Sequence, residues 1–171
     1  MIVKQKDLPL TQIRQFWRFL LLLLSAMLLT CASERDLLPG EILGHTLQRQ
    51  LSGEEARQHV NQLHLQAVTD TENRIGFYQG EKEPATIYVT KYTDAAASEA
   101  DFHKMTEKIS PQNSVFISGE YLEMNGRQVY RCFGMGQTHF VFTHGQHLFW
   151  ISVSTVLGKR FVTAYLDYLG T

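Results

Sequence analysis

From Leu51 onward the apolar residues follow first a helical and then a strand spacing. Ala56, Val60 and Leu63 recur at helical intervals behind Ser52-Gly53-Glu54-Glu55. A serine three residues ahead of a glutamate is a capping box, and Leu51 is placed to staple the start of the helix. Arg74 to Gln79 and Ala85 to Tyr92 read as short strands separated by Gly80 and Pro84. A second helix is predicted from Asp94 to Ile109, with Ala95, Phe102, Met105 and Ile109 on one stripe. It ends at Ser110-Pro111, because the residue before a proline is pushed out of the helical region. Beyond Val115 the period falls to two. Glu120–Met124 and Arg127–Phe133 flank Asn125-Gly126, which supplies both positive-φ residues of a tight turn. Thr138–Thr143 and His147–Ser154 form a second hairpin around His144-Gly145. The last helix covers Leu157 to Leu169, with Phe161, Tyr165 and Leu169 four apart.

Two strands set the layering. Leu148-Phe149-Trp150-Ile151-Ser152-Val153 is apolar on both alternating sets apart from Ser152, and Ala85 to Val89 is similar with a partly polar second face. A strand apolar on both sides is covered on both sides. The expected fold is therefore α+β, a mostly antiparallel sheet of five to seven strands packed by about three helices. These lie on both faces, or on one face with loops on the other. No βαβ succession and no internal repeat is visible.

The start of the chain is of another kind. Residues 1–18 carry Lys4, Lys6, Arg14 and Arg18 against Asp7, and residues 19–29 are an apolar run ending at Thr30 and Cys31. A cationic start, a short apolar stretch and a small-residue exit make an export signal. A membrane span needs about 20 apolar residues, more than Phe19 to Ala32 supplies. Leu28-Leu29-Thr30-Cys31 resembles the lipobox of bacterial lipoproteins, in which the cysteine becomes the lipidated N-terminus. The resemblance implies lipidation at Cys31 and, in a two-membrane bacterium, an outer-membrane address, since Ala32 rather than aspartate follows it. Two other outcomes stay open: ordinary cleavage after Ala32, and a short uncleaved anchor with Arg18 at the membrane boundary. Residues 1–30 are read as signal, 31–50 as tether and 51–171 as one domain.

Composition narrows the function. The 141 residues from Cys31 onward suffice for a core without staples. They carry 12 Lys and Arg against 16 Asp and Glu, with no basic stripe, which argues against nucleic acid and against anionic lipid. Lipidation of Cys31 would leave Cys132 without a disulfide partner, in an apolar segment that reads as core.

Catalytic or cofactor chemistry is not evident. Of seven histidines, His139, His144 and His147 are closest in sequence. Around a two-residue turn, His139 points with Val141 and Leu148, and His147 with Phe140 and Phe149 on the opposite face, so one metal cannot use both. His144 and His147 remain a two-ligand possibility. His59 and His64, five apart on a helix, do not face one another. No zinc-protease, haem or nucleophile-elbow motif occurs, and no cofactor is implied. Gly134-Met135-Gly136-Gln137-Thr138-His139 is the one speculative ligand loop, with Gly134 and Gly136 for geometry and Gln137 and His139 as polar donors. Tyr88, Tyr92, Tyr121 and Tyr130 sit on strands where a tyrosine-lined groove is conceivable. The expected function is an exported, lipid-anchored envelope protein acting as a non-catalytic binding module. Its partners would be the membrane, through the N-terminus, and an envelope protein. The alternatives are a small exported hydrolase using His139 and a soluble periplasmic carrier.

Overall fold

The computed structural model describes residues 35–64, 71–109 and 115–170. The export segment, Cys31 and Ser110-Pro111 lie outside the described residues. In chain order the elements are β1 (Glu41–Ile42), β2 (His45–Ser52), α1 (Gly53–His64), β3 (Glu72–Gln79), β4 (Pro84–Lys91), α2 (Ala95–Lys108), β5 (Ile117–Met124), β6 (Arg127–Gly134), β7 (Gln137–His144), β8 (His147–Val153) and α3 (Gly158–Leu169). Among the described residues they make an eight-stranded sheet ordered β1-β2-β3-β4-β8-β7-β6-β5. Every pairing in it is antiparallel. The α2 connection carries the chain from β4 to the far edge. The meander β5 to β8 then walks back until β8 pairs with β4.

The expectation of five to seven strands is corrected to eight, and the tether reading of 31–50 with it. The additional pair is β1 and β2, inside that stretch. Leu38, Ile42 and His45 are buried there, and the folded body begins at Asp36.

The helices divide between the faces. On one face α3 lays Phe161, Val162, Tyr165 and Leu166 against Ile87, Val89, Phe140, Phe142, Phe149 and Ile151. On the other, α2 packs Phe102 against Tyr130, Cys132, Val141 and Leu148. There α1 joins Ala56 to Leu51 and Ile75. Asp94 caps α2 by accepting a hydrogen bond from the Ala97 amide at 2.8 Å.

Turn chemistry sets the register. Asn125 (φ 50°) and Gly126 (φ 70°) join β5 to β6, and Met135 (φ 52°) and Gly136 (φ 77°) join β6 to β7, both with the two positive φ values of a type I′ turn. The last hairpin differs from expectation by one residue. His144 pairs with His147, so the turn is Gly145-Gln146 rather than His144-Gly145. Gly145 has φ 56° whereas Gln146 is not among the positive-φ residues. Glycine at the first central position is what a type II′ turn requires, and His144 thereby joins the strand.

Candidate functional site

β4 and β8 lie at the centre of the sheet, where burial on both faces is expected. Toward α3 the expectation holds: Ala85, Ile87, Val89, Phe149, Ile151 and Val153 are all buried. Toward α1 and α2 it holds at Leu148 and Ser152 of β8 but not along β4. α1 rests on β2 and β3, and α2 on β7 and β8, leaving β4 between them. Thr86, Tyr88, Thr90 and Trp150 are only half-buried as a result.

The result is a trough whose floor is the cross-strand pair Tyr88 and Trp150, continued on either side by Ile75 and Val141, which are buried under α1 and α2. On the α1 side the His59 ring stacks over Tyr88 at 6.4 Å and meets Phe77 edge-on at 5.7 Å. On the far side Phe116 stands edge-on to Trp150 at 5.3 Å and to His139 at 4.8 Å. Thr86 and Thr90 place hydroxyls beside these rings, on the same side of β4 as Tyr88. Burial raises the Tyr88 phenol above its usual range, so the ring is neutral at any ordinary pH.

His139 lies beneath the Trp150 edge of the trough and is buried. Its Nε2–H donates to the Gly134 carbonyl at 3.0 Å, while Nδ1 lies 2.9 Å from Ser152 Oγ. The Trp150 indole N–H donates to His139 Nδ1 at 3.1 Å and to Ser152 Oγ at 3.2 Å. These partners suit the neutral imidazole with its proton on Nε2. Burial pushes the His139 pKa down and outweighs the Gly134 bond, which raises it.

The residues singled out from the sequence fall into distinct places. Gly136 is the second residue of the β6–β7 turn, and Gln137 pairs with Gly134 just beyond it. Gly134 is required by packing, since a Cβ there would stand 2.5 Å from the Phe116 ring. The segment is thus a tight hairpin with His139 turned inward. Tyr88 and Tyr92 are half-buried, Tyr130 is buried and Tyr121 is 48% exposed. Cys132 is buried, and burial pushes its thiol up to about 11, which leaves it unreactive at neutral pH. His144 and His147 do meet as a cross-strand pair, on the face opposite His139. Among the described residues no group of three His, Cys, Asp or Glu side chains could hold a metal ion.

Trp150, Phe77, Phe116, His59 and Thr86 are trough residues that sequence reasoning did not single out. The partly polar second face of Ala85–Val89 was the one signal available, since it marks a strand whose second side is not closed over.

No protein-family model matches the chain, and no curated protein does. Among solved structures, the chain is similar to a GTP binding regulator from Thermotoga maritima, at 13% identity and a TM-score of 0.49. That match covers 74% of this chain and 78% of the other.

Proposed function

We propose that this protein is an exported, lipid-anchored envelope protein that acts as a non-catalytic binding module. The observation that carries the binding role is the aromatic trough between α1 and α2. Half-buried aromatic faces at the centre of a sheet forgo the stabilisation of full burial, and an occupant with a flat apolar surface would supply it. Thr86 would hydrogen-bond polar groups on its edge, and Thr90, whose hydroxyl donates to Asn73 Oδ1 at 2.9 Å, would serve as an acceptor. Export and anchoring rest on residues 19–29 and on Cys31. The folded body begins at Asp36, so a lipid on Cys31 would hold it within about 18 Å of the bilayer, five residues at full extension.

Two measurements test the two parts. The intact mass of protein extracted from membranes should show a chain beginning at a lipid-modified Cys31; a chain beginning at Ser33 would refute anchoring. Trp150 is the single tryptophan from Cys31 onward, so its fluorescence reports on the trough. Titration with the aromatic dye anilinonaphthalene sulfonate should shift that fluorescence saturably in the wild type and much less in Thr86→Arg, which fills the trough. An equal response in both would refute the trough as the binding surface.

A second reading, a small hydrolase, is favoured by one observation: the Ser152 hydroxyl lies 2.9 Å from His139 Nδ1. The Trp150 N–H already occupies both atoms, and both side chains are buried. A fluorophosphonate probe should therefore leave Ser152 unlabelled; labelling lost in Ser152→Ala would establish the hydrolase instead.

A further inference from the structure

On the α3 face, at the end of the sheet marked by the Gly145-Gln146 turn, four strands place basic side chains side by side. We infer that Arg127 of β6, His144 of β7, His147 of β8 and Lys91 of β4 form a binding site for a phosphate group. His144 pairs directly with His147, and His147 with Lys91. Arg127 donates to the Thr143 carbonyl at 2.6 Å, which fixes its guanidinium beside His144. Alternation puts Lys91 with Val89, His147 with Phe149 and Arg127 with Val129, all members of the core beneath α3, so the four share one face.

The row spans three strand spacings, about 14 Å. Its middle pair is close enough for one phosphate, with the longer arginine and lysine reaching in from either side. All four side chains are half-buried, which strengthens their field relative to open water. Among the described residues, none of the ion pairs within 4.0 Å involves Arg127, Lys91 or His144. Among the described residues, the acidic groups that face the row are Glu72, cross-strand from Lys91, and Asp167 at the end of α3, which accepts a hydrogen bond from Asn125 at 2.6 Å. Burial first, then the charges of Arg127 and His147, lower the pKa of His144, as expected where positive charge is crowded. The same crowding opposes a metal ion between the two imidazoles. An anion relieves it, and binding should strengthen as His144 protonates.

The test follows the histidine ring resonances of the full chain in neutral detergent by NMR, at about pH 6 and about pH 8. Inorganic phosphate should shift His144 and His147 saturably at about pH 6. It should leave His59 and His103 unmoved. Lys91→Gln and Arg127→Gln should each weaken the effect about threefold to tenfold. Lys91→Gln is the safer variant, because Arg127 also holds the Thr143 carbonyl. Doping the micelles with phosphatidylglycerol separates the sources: a matching shift identifies a lipid headgroup, and a shift with inorganic phosphate alone identifies a soluble phosphate. No saturable shift from either, or an unchanged shift in both variants, overturns the site.

Discussion

At the scale of single residues, His139 shows how a polar side chain is accommodated in a sheet core. The sequence marks it as a donor beside a glycine-rich turn and the alternation places it with Val141 and Leu148, but nothing in the spacing tells that Ser152, Trp150 and the Gly134 carbonyl satisfy its ring. The physical deciding factor is satisfaction: both ring nitrogens have partners, so burial costs little while the ring stays neutral. Removing it should be costly. His139→Leu would take the ring donor from the Gly134 carbonyl and leave the Trp150 N–H with Ser152 Oγ alone, and should destabilise the fold by about 1–3 kcal/mol in urea titrations. The pH dependence follows from the lowered pKa. Below about pH 6.5 the unfolded state takes up a proton that the folded state resists, so stability should fall on acidification and level off below the folded value. His144 is shifted in the same direction and adds to the same window. Asp36 acts lower: burial opposes its ionisation, but the Leu38 amide and the Arg74 guanidinium hold its pKa down, so its contribution is lost only in the carboxylate range. The urea midpoint should therefore be higher at about pH 8 than at about pH 5, and His139→Leu should flatten that slope.

Elements were legible where local chemistry alone decides them. Asn125-Gly126 announces a type I′ turn because few other residues accept positive φ at both positions. A Cβ added at Gly126 would meet nothing within 4 Å, so the requirement for glycine is conformational rather than steric. Gly126→Val should accordingly destabilise the protein by about 1–2 kcal/mol without disturbing the core, whereas Gly126→Asn should be tolerated. The start of the second helix was legible at Asp94, and the structure adds that Asp94 caps it by accepting from the Ala97 amide; Asp94→Ala should cost about 1 kcal/mol in thermal melts. β2 was not legible. A register shift between Leu47 and Arg49 interrupts its alternation, and Arg49 and Gln50 are both exposed, so the period of two breaks down in the middle. The trough escaped for a related reason. Periodicity tells which residues share a face, but whether a helix covers that face depends on where α1 and α2 land.

For the molecule as a whole, the stretch ahead of β2 is part of the body, and tyrosines from distant elements hold it there. Tyr165 donates to the Leu37 carbonyl at 2.5 Å, Tyr168 to the Asp36 carbonyl at 2.6 Å and Tyr78 to the Pro39 carbonyl at 3.0 Å. Arg74 pairs with Asp36 at 2.7 Å, and Leu38 and Ile42 are buried beneath. Burial raises the Tyr165 phenol well above its usual range, which keeps it a donor at every pH the fold survives. These contacts bridge more than a hundred residues between α3 and the start of the body, and no local pattern could have announced them. A chain cut to begin at Leu51 would lose Leu38, Ile42 and the partners of three hydroxyls together, and should fail to fold cooperatively. A roughly ten-residue Gly/Ser insertion between Cys31 and Asp36 should leave the unfolding midpoint unchanged, since a flexible linker outside the body adds no contacts. If the shortened chain melts like the parent, the segment is a tether after all; if the insertion lowers the midpoint, the body begins ahead of Asp36.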